Sequence, residues 1–134
     1  MRSPIEIEGL EPDELLALRD DEFETLILHG QPVAFRAGTA EVLGQFEIDR
    51  NRLVVELAHI DGGGEGVLLT LVALARRYAS SRSVPEVEWM VYATNCARPN
   101  PKLLRVLRRR GYVLRTVEGK GECYYRRESI ASSR

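Results

Sequence analysis

Residues 60–69 read IDGGGEGVLL, and this stretch decides how the chain on either side of it is arranged. A strand-like apolar run precedes it and a helical pattern follows it. Four of the five residues from 62 to 66 are glycines, which cost backbone entropy unless the fold uses their freedom. A glycine-rich turn between a strand and a helix presents several backbone N–H groups at the helix N-terminus. Such a turn favours an anion, and phosphate above all.

The spacing of these glycines excludes two common phosphate-binding motifs. A dinucleotide-binding turn requires the pattern G-x-G-x-x-G, but the third position falls on Val67 or Leu69 here. A P-loop requires a lysine followed by serine or threonine, and no lysine lies near the stretch. The preceding strand is also predicted to belong to an antiparallel hairpin, which fits neither architecture.

The bulk composition predicts one ordinary domain, because the chain has 134 residues, of which 44% are hydrophobic and 29% are charged. Its formal net charge of -1 gives no general indication of nucleic-acid or membrane binding. No apolar run approaches the roughly 20 residues that span a bilayer. Cys96 and Cys123 form neither a disulfide framework nor a zinc site. We expect a domain over residues 1–128, a loose tail over 129–134 and a reduced, cytoplasmic location, with no metal.

Charge is unevenly distributed along the chain. Acidic residues dominate positions 6–24, whereas basic residues are frequent between 98 and 127. Two interpretations remain open at this stage. The segments form two solvated faces, or they form a basic rim for an anionic ligand beside an acidic patch for a cationic one.

Hydrophobic periodicity and turn residues predict the order of elements. The order is strand, one long helix or two short ones, three strands, helix, strand, helix and two strands. Residues 49–52 fit a tight turn between two extended runs and therefore predict a hairpin. Asn100 is a suitable N-cap, Pro101 fits the first helical position and Gly111 fits the helix stop. The segment 19–21 is the expected break in the first helical region.

This order and two of its motifs resemble the GNAT superfamily of N-acetyltransferases. The family turn reads Gln/Arg-x-x-Gly-x-Gly/Ala, and Gly64 and Gly66 occupy its two glycine positions. The family's downstream pattern, Asn-x-x-Ala-x-x-Leu-Tyr-x-x-x-Gly-Phe, falls on residues 100–112. The resemblance covers about residues 4–127 and is strongest over 52–112. It implies a mixed, mostly antiparallel, twisted α/β sheet with helices on both faces.

The resemblance also implies acetyl-CoA as cosubstrate and an amine, on a small molecule or a protein, as acceptor. In the family, acetyl-CoA lies between the fourth and fifth strands, with its pyrophosphate on the glycine turn. The implied cofactor-binding residues here are Ala58, His59, Ile60, Asp61, Gly62, Gly63, Gly64, Glu65, Gly66 and Asn100. Family members often pair through exposed strands, so we expect a possible homodimer with the exposed C-terminal strand as the candidate edge.

Three side chains are candidates for the chemistry, which needs a base for the ammonium proton and an acid for the leaving thiolate. Glu56 lies on the predicted central strand, where partial desolvation suits a general base; the alternative is a strand glutamate that contacts water or an arginine. His59 lies nearer the cleft and belongs to the residue type that titrates near neutral pH; the alternative is a structural histidine. Tyr124, on the last strand, either reaches the cleft or packs in the core.

Three residues depart from the family pattern. Asp61 replaces the Gln/Arg of the turn, Glu65 lies inside the turn, and Leu107 occupies the position of the tyrosine that often acts as general acid. Carboxylates beside a diphosphate are repulsive, and leucine cannot donate a proton. These residues support a second hypothesis: a degenerate member of the fold that does not catalyse and acts as a binding or regulatory module through protein contacts. The pattern as a whole favours the enzyme.

Overall fold

The computed structural model describes residues 5–8, 12–37, 40–61, 64–92, 101–119 and 121–130. Seven strands form one sheet in the order β1-β2-β3-β4-β5-β7-β6. The strands are β1 (Ile5–Glu8), β2 (Val33–Ala37), β3 (Ala40–Asp49), β4 (Arg52–Asp61), β5 (Glu86–Tyr92), β6 (Val113–Val117) and β7 (Gly121–Ser129). The helices are α1 (Pro12–Leu16), α2 (Asp20–Leu26), α3 (Gly64–Ser81) and α4 (Pro101–Arg109).

The observed order of elements confirms the order predicted from the sequence. The first helical region divides into α1 and α2, as expected from the acidic break near Arg19. The predicted hairpin turn is present, with Asp49 paired to Arg52. Both residues between them have positive φ, 52° at Arg50 and 62° at Asn51, the geometry of a type I′ hairpin turn. Gly111 has φ 86°, so it can end the α4 region as predicted.

The sheet is mixed and mostly antiparallel. The pairs β1–β2 and β4–β5 are parallel, and the other four pairs are antiparallel. The parallel pair β4–β5 lies at the centre of the sheet and is joined by α3. Parallel neighbours need a crossover of this kind, because no tight turn can connect them.

The expectation of helices on both faces of the sheet is wrong for the described residues. α1, α2 and α4 all contact α3, and their buried side chains belong to one core cluster with those of α3. On β5, Val87, Trp89 and Val91 face this core with no exposed surface. Glu88 and Met90 alternate with them and are only partly buried. We call this second side the open face; a wide apolar surface on α3 keeps the helices together on the other side.

The last strand is not the exposed edge that the sequence predicted. β7 pairs with β5 on one side and with β6 on the other, so β6 is the edge strand at that end of the sheet. The ordered chain also extends past the predicted start of the tail. Ser129 pairs with Glu86, and the Ile130 N–H donates to the Pro85 carbonyl at 2.9 Å.

A buried carboxylate joins α3, β5 and β7. Glu128 accepts two hydrogen bonds from Arg76 Nε, at 3.1 and 3.0 Å, and one from Arg76 Nη2 at 2.7 Å. Trp89 Nε1 donates to the same carboxylate at 3.2 Å. Burial acts to raise the pKa of Glu128, but the hydrogen bonds from Arg76 and Trp89 outweigh it and hold this pKa below its usual value. Glu128 therefore belongs in the core as an anion.

The acids of α2 are largely matched within the fold. Glu24 accepts from Tyr78 Oη at 2.7 Å and lies 3.4 Å from Arg82 Nη2. Asp20 lies 3.8 Å from Arg82 Nε. Tyr78 lies in the last turn of α3 and Arg82 directly follows the helix, which is about 27 Å long at 1.5 Å per residue. Asp20 and Glu24 therefore lie far from the start of α3 at Gly64.

In the part of the chain that the structure describes, no helix is both long and apolar enough to cross a membrane.

Replacing Glu128 with alanine should lower the free energy of unfolding by about 3 kcal/mol, because Arg76 and Trp89 lose their shared partner inside the protein. Glu86→Ala is the matched control, since Glu86 pairs with Arg127 at a solvent-accessible edge, and its loss should be much smaller. Denaturant titrations followed by the fluorescence of Trp89, the single tryptophan, measure both. Equal losses in the two variants would contradict the assigned role.

The lowered pKa of Glu128 predicts how this stabilisation depends on pH. It should be fully present above the pKa of the unfolded chain and should disappear as pH falls through the lower folded-state pKa. Glu128→Gln resembles the protonated form at every pH. The stability difference between the wild-type protein and Glu128→Gln should therefore shrink as pH falls below about 4.5. A difference that stays constant from pH 6 to pH 3 would contradict the assignment.

Candidate functional site

A β-bulge near the end of β4 marks the site. Glu41 pairs with Asp61, but Leu43 pairs with Ala58, and the register shifts between these pairs. One β3 residue, Val42, therefore lies opposite two β4 residues. A bulge of this kind bends its strand and increases the local twist. The bend falls at His59 and Ile60.

The bulge lies directly beyond the described pairing of β4 with β5. That pairing reaches Ala58 and Tyr92, where the described part of β5 stops, and β4 itself continues to Asp61. On the β3 side, Asp61 pairs with Glu41. α3 begins at Gly64, immediately after this strand end. An irregular strand end and a helix N-terminus lie consecutively along the chain, and both can offer backbone donors to a ligand.

A small cavity lies on the open face beside this strand end. Its volume is about 100 Å³. The described residues that line it are Pro32, Leu43, Gly44, Gln45, Glu56, Ala58 and Tyr92. Most of these walls are apolar. Among the described lining residues, Glu56 is the one with a charged side chain.

Strand register explains why these side chains meet. Gln45 pairs with Glu56, and Leu43 pairs with Ala58, which itself pairs with Tyr92. Directly paired residues point to the same face of a sheet. Gln45 Nε2 donates to the Gly30 carbonyl at 2.8 Å, and the Gly30 N–H donates to Phe46 at 3.0 Å. These bonds hold the turn before β2 against β3 and fix one wall of the cavity.

The structure brings together some of the predicted site residues and leaves others apart. Glu56 and Ala58 both line the cavity. The backbone of His59, Ile60 and Asp61 continues directly from it, and Gly64, Glu65 and Gly66 form the first residues of α3. Gly62, Gly63 and Asn100 lie outside the described residues, as do the side chains of His59, Ile60, Asp61 and Glu65.

Tyr124 does not join the site. It pairs with Val91 and therefore lies on the helix-covered side of the sheet. There it is 5% exposed and belongs to the core cluster. Its neighbour Tyr125 lies on the open face, where its hydroxyl donates to Glu88 at 2.9 Å. Burial and this hydrogen bond raise the pKa of Tyr125. The prediction of Tyr124 as a catalytic group is therefore wrong, because the register of β7 turns it toward the core.

Leu107 and Cys123 carry no acid–base chemistry in this arrangement. Leu107 is fully buried in the core. Burial raises the pKa of the Cys123 thiol, opposed by Arg115 and reinforced by Glu56. A buried thiol of raised pKa is a poor nucleophile. The effect of Glu56 on this thiol also places the carboxylate within electrostatic range of β7.

Sequence reasoning missed Gln45 and Tyr92, although a signal for each was present. The tight turn at 49–52 sets the hairpin register, and counting back from it pairs Gln45 with Glu56. Alternation along β5 places Tyr92 on the same face as Glu88 and Met90. The parallel pairing of β4 with β5 then brings Tyr92 beside Ala58. That pairing is long-range, so the sequence alone did not supply it.

No protein-family model matches the chain, and no curated protein matches it.

Gly44 should be intolerant of any side chain, because on β3 it faces the core at close contact with three core side chains. A Cβ there would lie 3.0 Å from Leu57 Cδ2, 3.1 Å from Phe46 and 3.2 Å from Phe35. Gly44→Ala should therefore lower the free energy of unfolding by about 1–3 kcal/mol. Gly66→Ala is the control, since nothing lies within 4 Å of its added Cβ. It should be neutral or stabilising, by up to about 1 kcal/mol in a helix.

Thermal or denaturant unfolding of the two glycine variants provides the comparison. A Gly44→Ala protein as stable as wild type would show that β3 and the core relax freely around this position. The cavity wall would then be less rigid than its contacts indicate.

Proposed function

We propose that the protein is an acetyl-CoA-dependent N-acetyltransferase of the GNAT type, acting on an amine. The observation that carries the proposal is the bulge of β4, which lies beside the central parallel pair β4–β5 and shortly before α3. It is supported by α3, which begins three residues after β4 ends. The strand order adds further support, because it places this parallel pair at the centre of a mostly antiparallel sheet.

The backbone geometry fits an elongated thioester that carries a diphosphate. The bulge gives β4 an irregular backbone beyond Ala58. In this proposal that backbone meets the amide-bearing arm of acetyl-CoA, in the manner of an added strand. The N-terminus of α3 provides donors and the positive end of a helix dipole for the pyrophosphate. When bound, acetyl-CoA supplies an activated acetyl group.

In this proposal, the side chains of the cavity contact the amine acceptor. Glu56 lies on the wall, two residues before Ala58 on the same strand face. It is the group that takes the proton from the attacking ammonium. Gln45, beside it and held by Gly30, keeps this part of the wall in place. With no tyrosine at position 107, proton delivery to the leaving thiolate falls to solvent.

A second candidate function is a binding module without catalysis. The burial of Leu107 in the core favours it, because the position that often carries the family's general acid is here a packing position. Under this alternative, the cavity and the glycine turn keep their geometry but take no part in catalysis. Acetyl-CoA binding without turnover would favour it.

Calorimetric titration with acetyl-CoA tests the proposal directly. Wild-type protein should bind, and Gly64→Glu should reduce the affinity at least a hundredfold, because a carboxylate would meet the pyrophosphate at the helix start. Gly66→Ala is the matched control and should retain binding, since its Cβ points into open space. Acetylation of an amine panel by wild-type protein then separates the enzyme from the binding module.

Absence of binding at millimolar acetyl-CoA would refute the proposed function. Equal affinity of wild-type protein and Gly64→Glu would show that the ligand binds away from the glycine turn.

A further inference from the structure

β6 (Val113–Val117) is the edge strand at one end of the sheet, next to the basic C-terminal end of α4. We infer that its outer edge binds an extended, acidic segment of a partner protein, which adds a strand beside β6. We call β6 and the exposed arginines between residues 105 and 110 the basic edge. The inference does not depend on the proposed acetyltransferase function, because it concerns different residues.

The exposure of β6 provides the first argument. Val113 is 60% exposed and Leu114 is 54% exposed, and the two residues that follow are exposed as well. Val113 pairs with Tyr125 and Leu114 pairs with Tyr124, so the two apolar side chains lie on opposite faces of the sheet. Exposure on both faces is typical of an edge strand that has space beside it. Such a strand is a template for pairing with another chain.

The charge around β6 provides the second argument. Residues 101–119 include six basic residues and one acid, Glu118. Four of the basic residues are exposed arginines that precede β6, namely Arg105, Arg108, Arg109 and Arg110. Among the described residues, none of these four arginines forms an ion pair with a carboxylate. Unlike the acids of α2, they can therefore attract an external anion.

Arg115 determines which strand can pair with this edge. It lies in the middle of β6 with its guanidinium carbon 4.4 Å from the centroid of the Tyr125 ring. Two copies of the chain paired symmetrically around this residue would place Arg115 opposite itself, and like charges directly opposite are destabilising. An acid at that position of a partner strand is attracted instead. An apolar residue next to the acid then packs against Leu114 on the other face.

The exposed side chains favour a polypeptide over a nucleic acid. Proteins that bind single-stranded nucleic acids combine positive charge with aromatic side chains on which the bases stack. Tyr112 and Tyr124, beside the basic edge, are only 4% and 5% exposed. The exposed apolar side chains of β6 are aliphatic, and they suit the side chains of a paired strand.

Three heptapeptides with blocked ends test the inference: EVEVEVE, KVKVKVK and EVEPEVE. EVEVEVE can place acids on the face of Arg115 and valines on the face of Leu114. KVKVKVK reverses the charge, and the proline of EVEPEVE removes a backbone N–H from the middle of the strand. Amide chemical shifts of ¹⁵N-labelled protein are followed in each titration at pH 7. EVEVEVE should bind at least tenfold more tightly than either control, with the largest shifts between residues 111 and 117.

Charge reversal within the protein tests the role of the arginines. Arg115→Glu should bind KVKVKVK more tightly than EVEVEVE, a reversal that a merely structural role would not produce. Arg110→Glu lies outside the strand and should weaken EVEVEVE at least fivefold. Arg50→Glu is the matched control, because Arg50 is an exposed arginine on the turn between β3 and β4. Its affinity for EVEVEVE should stay within twofold of wild type.

Several outcomes would overturn the inference. They are equal affinity of the wild-type protein for EVEVEVE and KVKVKVK, absence of binding at millimolar EVEVEVE, and shifts confined to residues outside the basic edge. A wild-type dimer in which the amides of β6 are protected from hydrogen exchange would assign the edge to a second copy instead. A single-stranded oligonucleotide that binds the same residues more tightly than EVEVEVE would assign it to a nucleic acid.

Discussion

The parallel pairing of β4 with β5 is the constraint on which the rest of the structure depends. Two adjacent parallel strands cannot be joined by a tight turn, so the chain must leave the end of β4, run along the sheet and return to the start of β5. α3 makes this connection. Its wide apolar surface then becomes the support on which α1, α2 and α4 pack. Placing all four helices on one side leaves the opposite face of β3, β4 and β5 available for a cavity.

The candidate site lies just beyond the described part of this pairing. A bulge opposite Val42 interrupts the register between β3 and β4, next to the pair of Ala58 with Tyr92. A bulge leaves a residue outside the regular ladder and increases the local twist near the cavity wall. On the other side of the sheet, Arg76, Trp89 and Glu128 fasten α3 to β5 and β7. The core side is thus held by polar contacts, whereas the bulged end of β4 lies beside the cavity on the other face.

Much of the fold could be predicted from the sequence because its elements carry local signals. Pro101, Gly111 and the turn at 49–52 each set a boundary through backbone geometry, and each lies where it was expected. The face to which a side chain points depends on pairing between distant strands. Tyr124 was for this reason wrongly placed in the cleft, and the helices were expected on both faces. The bulge at His59 and Ile60 carries no glycine or other local signal, so only the observed register reveals it.

The candidate site was predictable in part for the same reason. Glu56 and Ala58 follow from alternation on one strand, whereas Tyr92 comes from the neighbouring strand and Pro32 from a turn before β2. The acidic part of the uneven charge along the sequence is explained by contacts within the fold and not by a ligand. The acids of α2 are matched by arginine and tyrosine side chains near the C-terminal end of α3. A charge pattern along a chain therefore identifies a ligand site only when the fold leaves those charges without internal partners.

The central claim is that acetyl-CoA binds along the open end of β4 and the start of α3. Amide chemical shifts of ¹⁵N-labelled protein during an acetyl-CoA titration measure this most directly. The account predicts that the largest changes fall on the backbone from residue 58 to residue 66, and that the amides of α2 stay unperturbed. Absence of changes at millimolar acetyl-CoA, or changes confined to residues outside this segment, would contradict it.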